Sequence, residues 1–370
     1  MKLIRSVLAT LLAAFAMNSV AAGQTADNVC ARPLIEKVER DVEWQPGPGG
    51  EQIPLWPEGL AIQPPDESRA EMTGNGSPLV AGRTWNWATY VTRPTMTIYR
   101  PAQQRSRAAV LVLPGGGYVA VAMDLEGTEV CEWVTQQGLT CVVLKYRTPQ
   151  AWPRDANNIG QPPAVLLPLQ DAQRAMGLLR QHAEGYGIDP DRIGVVGFSA
   201  GAHLAAAISN ADARSYDAVD GADQLSLRPN FAVLLYTGRL WDRTAPRTDL
   251  RLAPWIEISP RAPATLLIHA MNDPVDDVRH AMAYGLALHD AGVPVDMRVF
   301  AGGCHAFGLR PTPDPITTQW PGMMLQWLHD VHMLSVGWRK PNGVPLGGEP
   351  IRRSCAVLVL ALVADPNEEG

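Results

Sequence analysis

The sequence contains little charge and no excess of basic residues. Only 18% of its 370 residues are charged, and acidic residues outnumber basic ones to give a net charge of −6. Nucleic acid and acidic membrane surfaces favour proteins with a surplus of Lys and Arg, so neither is an expected partner. Because 46% of the residues are hydrophobic, the chain can bury a large core and is not mainly disordered. We expect one large domain, and we leave its oligomeric state open.

Cysteine is also scarce, and its spacing shows no metal-binding pattern. The five cysteines include no Cys-x-x-Cys pair, and the sequence has no His-x-x-x-His pair, so neither a zinc site nor a cofactor is expected. Five cysteines do not suggest a disulfide scaffold, and at least one must remain unpaired within the chain. Cys131 and Cys141 are either bonded, if a helix packs back onto the next strand, or two buried free thiols.

No apolar run is long enough to form a stable membrane span in the mature protein. The run Val7–Met17 follows Lys2 and Arg5 and precedes the small residues Ser19–Ala22, which is typical of an export signal. We therefore predict a signal peptide at residues 1–22 and a periplasmic or secreted protein. An uncleaved anchor is the alternative.

The composition and hydrophobic pattern of the chain change at about residue 89. Residues 23–88 are rich in Pro, Gly and Trp without a sustained period, which predicts an irregular N-terminal arm. Residues 89–338 alternate short apolar runs with helical patterns, as βαβ units do, and residues 339–370 form a tail without an assigned role. The predicted strands are Thr95–Arg100, Ala109–Leu113, Thr140–Tyr146, Ile193–Gly197, Phe231–Tyr236, Thr265–Ala270 and Val295–Phe300. The predicted helices are Gly127–Gln137, Leu169–Ala183, Gly201–Ser209, Asp277–Ala291 and Met323–Leu334. Such apolar strands belong in a mostly parallel, doubly wound α/β sheet with helices on both faces.

The strongest local motif is the pentapeptide Gly197-Phe198-Ser199-Ala200-Gly201, which lies between a predicted strand and an Ala-rich helix. A G-x-S-x-G pattern in this position predicts a sharp turn that holds a serine hydroxyl at the carboxyl end of the sheet. Glycines are needed there because larger side chains would collide with neighbouring strands. Ser199 is therefore the candidate nucleophile, above the positive end of the following helix.

A serine hydroxyl becomes a good nucleophile only when a base lies within hydrogen-bond reach. Six of the eight histidines lie in helix patterns, and His269 lies in an apolar strand. His305 lies in a loop after the last predicted strand, which is where the base must arrive in this architecture. We predict that His305 is the base, against the alternative of a structural histidine.

The acid that orients the base should follow the preceding strand. Asp273, Asp276 and Asp277 all follow the predicted strand Thr265–Ala270. Asp276 and Asp277 immediately precede a helix, where they would cap free N–H groups, whereas Asp273 lies in the loop itself. We assign the orienting role to Asp273 and keep Asp276 as the second choice.

A glycine run supplies candidate donors for an oxyanion. One predicted strand is followed directly by Pro114-Gly115-Gly116-Gly117-Tyr118. Glycines let the main chain approach a substrate closely, so we predict an oxyanion hole formed by the N–H groups of Gly116, Gly117 and Ala200. Tyr118 is predicted to line the substrate pocket. The G-x-G-x-x-G spacing of a dinucleotide site is absent.

Two weaker features have plainer interpretations. Asp124 and Glu126 lie near the start of a predicted helix, where carboxylates are favourable, and this interpretation is preferred to a substrate contact. Eleven tryptophans against five phenylalanines suggest sugar stacking, although burial in the core is the commoner reason for tryptophan.

A set of segments between Ile53 and His332 matches a known family. They are Ile53-Pro54-Leu55-Trp56-Pro57, Leu113-Pro114-Gly115-Gly116-Gly117-Tyr118, Leu125-Glu126-Gly127, Leu144-Lys145-Tyr146-Arg147, Asp171-Ala172-Gln173-Arg174-Ala175, Gly197-Phe198-Ser199-Ala200-Gly201 and His305-Ala306-Phe307-Gly308. In these the chain resembles the acetylxylan esterase and feruloyl esterase-like branch of bacterial α/β-hydrolases. The resemblance implies the α/β-hydrolase fold without a large cap domain, and a triad of Ser199, His305 and Asp273.

Motifs and resemblance together predict an exported serine esterase that removes acetyl or similar acyl groups from a polysaccharide or oligosaccharide through an acyl-enzyme. The expected substrate is a small-molecule or polysaccharide ester, and no cofactor is needed. A general short-chain carboxylesterase or a feruloyl esterase is the enzymatic alternative. The alternative from another class is a non-catalytic glycan-binding protein that keeps the hydrolase fold.

Overall fold

The structure, a computed structural model, describes residue 30, residues 34–35, 42–60, 70–148 and 163–334, and residue 338. The predicted signal peptide and the tail 339–370 lie outside the described residues. Within the described part, the strands are β1 (Leu34–Ile35), β2 (Gly50–Pro54), β3 (Met72–Val80), β4 (Arg83–Thr89), β5 (Thr95–Tyr99), β6 (Ala109–Leu113), β7 (Ala120–Ala122), β8 (Thr140–Lys145), β9 (Ile193–Phe198), β10 (Phe231–Leu235), β11 (Ala264–Ala270) and β12 (Val295–Phe300). The α-helices are α1 (Glu129–Gln136), α2 (Pro163–Gln181), α3 (Ala200–Asn210), α4 (Arg279–Asp290) and α5 (Pro315–Asp330).

The main sheet has eight strands in the order β12-β11-β10-β9-β6-β8-β5-β2. The strands from β12 to β8 pair in parallel, and β5 and β2 extend one edge in antiparallel fashion. Every residue of β6, β8, β9 and β10 is buried, as expected for a sheet covered on both faces. This is the predicted mostly parallel α/β architecture.

The predicted strands and helices of the main domain are all present. Strand ends differ from the prediction by at most one residue, but α2 and α5 begin earlier than predicted, at Pro163 and Pro315. Both helices contain an internal proline, Pro168 and Pro321, and proline interrupts the helical pattern by which a helix is detected in sequence. No helix in the described residues is both long and apolar enough to cross a membrane.

The prediction of an irregular arm over residues 23–88 is wrong for much of that segment. β2 pairs with β5 at the edge of the main sheet, and β3 and β4 form a hairpin within a second, antiparallel sheet in the order β1-β3-β4-β7. Glycine and proline in β3 concealed the hairpin, because both residues weaken strand patterns. The glycine at position 76 has a packing role, since a Cβ there would overlap the indole of Trp85 on the neighbouring strand.

A disulfide joins Cys131 in α1 to Cys141 in β8. Their Cα atoms lie 5.2 Å apart because α1 packs back onto the strand that follows it. The structure thus decides between the bonded pair and the two free thiols that the sequence left open. Cys355 lies outside the described residues.

Candidate active site

The residues of the candidate site, both predicted and not predicted, converge where five neighbouring parallel strands end. Gly115 follows β6, Ser199 follows β9, Tyr236 follows β10, Asp273 follows β11 and His305 follows β12. Adjacent parallel strands present their carboxyl ends at the same edge of a sheet, which is where ligands bind in open α/β folds. Residues distant along the chain are therefore brought to one edge by the order of the strands.

Ser199 occupies a sharp turn between β9 and α3. Its backbone has φ 51° and ψ −116°, a strained conformation for a residue with a side chain. The turn is possible because its glycines approach other backbone atoms closely. A Cβ at Gly201 would overlap the carbonyl oxygen of Leu113, and one at Gly197 would overlap the carbonyl oxygen of Gly201. The G-x-S-x-G spacing is thus required by the packing of this turn.

A continuous hydrogen-bonded path connects Ser199, His305 and Asp273. The Nε2 atom of His305 lies 2.9 Å from Ser199 Oγ, and its Nδ1 atom lies 2.7 Å from Asp273 Oδ2. The other carboxylate oxygen, Oδ1, accepts hydrogen bonds from the N–H groups of Val275 and Asp276 at 2.8 and 2.9 Å. The imidazole is therefore fixed between the hydroxyl and a carboxylate that the backbone holds in place.

The charges around His305 favour its protonated form. Burial alone would lower the pKa of His305, but the hydrogen bond and charge of Asp273, together with the carboxylates of Asp276 and Glu126, raise it above its ordinary value. Burial would also raise the pKa of Asp273, but hydrogen bonds from His269 and His305 lower it well below its usual range. Asp273 stays ionised at neutral pH, and it can stabilise an imidazolium formed beside it.

The two competing aspartates make other contacts, Asp277 through its carboxylate and Asp276 through its backbone carbonyl. Asp277 accepts a hydrogen bond from the N–H of Arg279 at the start of α4, at 3.0 Å, and also pairs with its guanidinium. The backbone carbonyl of Asp276 lies 2.9 Å from Nε2 of the buried His269. Within the described residues, Asp273 is the carboxylate that contacts His305 directly, so the structure places the first-choice acid beside the base.

In the glycine loop after β6, the N–H groups of Gly116 and Gly117 point away from the turn that follows the loop. The carbonyl of Gly115 accepts a hydrogen bond from the N–H of Ala122 at 3.0 Å, and the carbonyl of Gly116 accepts two more from that turn. Because C=O and N–H of a trans peptide point in opposite directions, the N–H groups of Gly116 and Gly117 point to the other side. A Cβ built on Gly115 would lie 2.9 Å from Ser199 Cβ, so the loop adjoins the nucleophile.

The third predicted donor, Ala200, is the first residue of α3. N–H groups in the first turn of a helix have no acceptor within that helix. The carbonyl of Ser199 accepts hydrogen bonds from Ala202 and His203 further along α3, so the N–H of the same peptide, that of Ala200, points back out of the helix. The predicted donors therefore belong to the two segments that adjoin Ser199, the glycine loop and the start of α3, and their joint action as an oxyanion hole stays a prediction.

Tyr118 is not placed as predicted. Its side chain is only 1% exposed, and its hydroxyl lies 2.8 Å from Nδ1 of the buried His203. Its ring lies 5.9 Å from that of Tyr146, whose own hydroxyl donates to the carbonyl oxygen of Pro114 at 2.6 Å. Tyr118 thus supports the glycine loop from within the core instead of lining a pocket open to substrate.

Three residues near the site were not predicted to belong to it. Glu126, interpreted from sequence as a favourable carboxylate at a helix start, is only 2% exposed and bonds to both Gly115 and Tyr236. The ring of Tyr236 packs edge-on against His305, with centroids 4.9 Å apart. His269 lies 3.4 Å from the Asp273 carboxylate. Of the three, only Glu126 could have been found from the sequence, because Leu125-Glu126-Gly127 is one of the segments of the family resemblance.

Comparison with known proteins identifies the family. An ethyl acetate hydrolase of Pseudomonas putida is 30% identical to this chain over 236 residues, which cover 57% of the chain and 70% of that protein. The chain belongs to the α/β-hydrolase family, in its carboxylic ester hydrolase branch. The BD-FAE family model matches residues 96–232 of this α/β-hydrolase, a stretch that includes the glycine loop and the turn around Ser199.

Two further relatives agree with this membership. The α/β-hydrolase is 26% identical over 232 residues to an acetylxylan esterase of Xylanibacter ruminicola, and it spans 43% of that protein's length. An acetyl ester-xyloside bifunctional hydrolase from Caldicellulosiruptor lactoaceticus is 25% identical in sequence and has a TM-score of 0.57, covering 77% of this chain and 97% of that chain. The predicted fold class and family resemblance are confirmed.

The described part of the α/β-hydrolase contains no cluster of three or more His, Cys, Asp or Glu side chains that could hold a metal ion. What its residues do assemble is a hydroxyl, an imidazole and a carboxylate in hydrogen-bonded sequence, beside backbone donors. This arrangement can deprotonate a serine during attack on a carbonyl and stabilise the resulting oxyanion.

Proposed function

We propose that this protein is a serine carboxylic ester hydrolase that works through an acyl-enzyme. The observation that carries the proposal is the 2.9 Å separation of Ser199 Oγ and His305 Nε2, with Asp273 on the other imidazole nitrogen. Nucleophile, base and orienting acid are thus already within hydrogen-bond reach of one another. Membership of a family of ester hydrolases supports the same reaction.

The proposed reaction has two halves. Ser199 Oγ attacks the ester carbonyl carbon while His305 Nε2 accepts the hydroxyl proton, and the N–H groups of Gly116, Gly117 and Ala200 stabilise the oxyanion. Collapse breaks the bond to the alcohol, which leaves with the proton returned by His305. Water then attacks the acyl-enzyme, again losing a proton to His305, and the acid is released as Ser199 regains its hydrogen.

The proposed substrate is an acetyl or similar short acyl ester on a polysaccharide or oligosaccharide. Support comes from the names of two relatives, an acetylxylan esterase and an acetyl ester-xyloside bifunctional hydrolase. A general short-chain carboxylesterase is the second candidate, favoured by the similarity to an ethyl acetate hydrolase. A feruloyl esterase remains the third outcome of the substrate comparison described below.

Tryptophan burial counts against the non-catalytic glycan-binding alternative. Six of the ten tryptophans in the described part of the chain are buried in the core, where they cannot stack on a sugar. The buried set is Trp85, Trp87, Trp241, Trp320, Trp327 and Trp338. A binding protein would also have no use for the aligned Ser199, His305 and Asp273.

The test combines turnover with covalent labelling. Acetate release from acetylated xylan is compared with hydrolysis of p-nitrophenyl acetate and methyl ferulate, and each protein is treated with a fluorophosphonate probe. We expect wild type to be labelled, and Ser199→Ala to lose the label and about 10⁵- to 10⁶-fold in kcat. The matched control is Ser226→Ala, because Ser226 is exposed and precedes β10, whereas Tyr236 of the site follows that strand. An unlabelled, inactive wild type would support the glycan-binding alternative.

We also propose that the protein is exported to the periplasm or beyond the cell. The basic and apolar pattern of residues 1–22 supports export, and the Cys131–Cys141 disulfide is of the kind that persists in an oxidising compartment. Expression of the full chain, cell fractionation and mass measurement of the product test this. We expect a product in the periplasm or medium that lacks residues 1–22, whereas uncleaved protein in the cytoplasm would contradict export.

A further inference from the structure

Glu126 is a buried carboxylate that lies between the two halves of the proposed active site. It belongs to the π-helical turn Asp124–Thr128, which directly precedes α1, and it is only 2% exposed. Burying a carboxylate without compensating partners is unfavourable. Its partners should therefore show what the residue does, and they lie on two different sides of the site.

The first partner is the glycine loop. Glu126 Oε2 accepts a hydrogen bond from the N–H of Gly115 at 2.7 Å. The carbonyl of Gly115 is held by the N–H of Ala122, so both peptides of Gly115 are anchored. The Gly115 carbonyl shares a planar peptide unit with the N–H of Gly116, the proposed oxyanion donor. The Ala122 bond therefore orients that amide, and the Glu126 bond holds the peptide unit that precedes it.

The second partner is Tyr236, which follows β10. The Tyr236 hydroxyl donates to Glu126 Oε1 at 2.7 Å. The same phenol ring packs edge-on against the imidazole of His305, with centroids 4.9 Å apart, and against Phe307 at 4.5 Å. One carboxylate therefore connects the oxyanion loop to the aromatic ring that supports the catalytic base.

The loop that carries His305 also packs directly on the π-helical turn that contains Glu126. Gly308 has φ 54°, and a Cβ there would lie 2.9 Å from the carbonyl oxygen of Leu125 and 2.8 Å from its Cδ1 atom. The backbone beside Glu126 thus touches the histidine loop, while the Glu126 side chain reaches the oxyanion loop. The turn is in contact with both parts of the machinery that must be aligned with Ser199.

We propose that Glu126 is a positioning residue for the ester hydrolysis, which fixes the oxyanion donor Gly116 relative to the imidazole of His305 by bonding Gly115 and Tyr236 at once. This inference rests on the proposed serine esterase function and extends it. Alignment of donors and base matters most in the transition state, because the oxyanion and the imidazolium form there together. Loss of the connection should therefore lower kcat more than it raises KM.

The test uses Glu126→Ala, Tyr236→Phe and the double variant in the full-length protein, with p-nitrophenyl acetate as substrate. Alanine is chosen because a glutamine could still accept from the N–H of Gly115 and donate to the Tyr236 hydroxyl. Tyr236→Phe keeps the ring against His305 and removes only the hydroxyl, so it also tests the connection if Glu126→Ala folds poorly. The matched control is Glu132→Ala, at an exposed glutamate of α1. Thermal melting establishes that each protein is folded at the assay temperature.

We expect each single variant to lose about 10- to 100-fold in kcat, as for a small misplacement of reacting groups, with KM changed by no more than about twofold. The kcat of the double variant should lie within about threefold of that of the less active single variant, because both substitutions break the same connection. Glu132→Ala should match wild type. Folded single variants with wild-type kcat, or losses in kcat that multiply in the double variant, would overturn this inference and leave the proposed function intact. A wild type without ester turnover would remove the proposed function, and with it this inference.

Discussion

His305 Nδ1 lies 2.7 Å from Asp273 Oδ2, although 32 residues separate them in the sequence. The contact forms because β11 and β12 are parallel neighbours and each residue follows one of these strands. The Asp273 side chain is fully buried and that of His305 is only 4% exposed, so solvent screens this pair little. The protonation state of His305 is therefore tied to Asp273.

Esterase activity should be lost as the pH falls, with a midpoint above the ordinary histidine value of 6.5. A base must be unprotonated to accept the serine proton, and the Asp273, Asp276 and Glu126 carboxylates raise the pKa of His305 after burial has lowered it. Imidazolium therefore persists to higher pH than in a free histidine. The measurement is kcat/KM for p-nitrophenyl acetate against pH, which reports the free enzyme. A midpoint below 6.5 would contradict the charge arrangement described for this site.

Replacing Asp273 by Asn should lower kcat by about 10⁴-fold, the effect seen when the equivalent orienting acid is changed in a serine protease. The amide removes the negative charge that raises the pKa of His305 and can hold the imidazole in the wrong tautomer. The low-pH limb of the remaining activity should therefore move to lower pH. Asp277→Asn is the matched comparison, since the Asp277 carboxylate bonds to the N–H and the guanidinium of Arg279 and not to His305. The activity of Asp277→Asn should change far less than that of Asp273→Asn.

Gly201→Ala should prevent stable folding or destabilise the protein by more than about 3 kcal/mol, the range reserved for severe backbone or packing conflicts. A Cβ at this position would overlap the carbonyl oxygen of Leu113 in β6, and backbone on a central strand cannot move aside cheaply. Gly47→Ala is the control, because a Cβ there meets no atom within 4 Å. Urea unfolding of both variants against wild type measures the difference, and equal midpoints would refute the packing explanation of the motif.

Loss of the Cys131–Cys141 disulfide should lower the free energy of unfolding by about 2–3 kcal/mol, the value for a short closed loop in which the bond restricts the unfolded chain. The double substitution Cys131→Ala and Cys141→Ala removes this bond without exposing the rest of the protein to a reductant. Because both cysteines lie in α1 and β8 rather than in the site, kcat below the melting temperature should stay close to that of wild type. Denaturant unfolding and steady-state kinetics on the same preparation check both expectations.

Asp171→Ala should destabilise the protein by about 3–5 kcal/mol, since breaking a buried ion pair leaves an uncompensated charge. Asp171 accepts hydrogen bonds from the backbone and guanidinium of Arg147 and from the indole of Trp56, at 2.8–3.0 Å. Both charged side chains are at most 1% exposed. The control is Arg261→Ala, whose partner Asp212 is exposed and whose loss should barely move the urea midpoint.

The alternation of strands and helices and the turn at Ser199 could be predicted because both depend on residues close together in the chain. Apolar runs such as Ala109–Leu113 and the glycines around Ser199 report local geometry directly. His305 could be selected among eight histidines because its position after the last strand is a consequence of topology. Choosing Asp273 over Asp276 relied on distance from the following helix, which is again a local property.

Other features depended on contacts that no local pattern records. Gly76 weakens the strand pattern of β3, yet it makes room for Trp85 across the hairpin. Tyr118 follows the glycine loop in sequence but lies in the core, where its hydroxyl contacts His203, 85 residues away. The bond between Glu126 and Tyr236 spans 110 residues, and its energy depends on burial that only the folded chain provides.

The amino-acid sequence by itself determined the α/β alternation, the strained turn at Ser199 and the chain order of nucleophile, acid and base, because short-range sterics and periodicity specify them. The tertiary structure alone decided which polar groups are buried together, because strand order brings distant segments into contact. That is why it placed Tyr118 in the core and joined Glu126 to both sides of the site. Such pairings arise from close packing between segments, and close packing has no counterpart in the linear pattern.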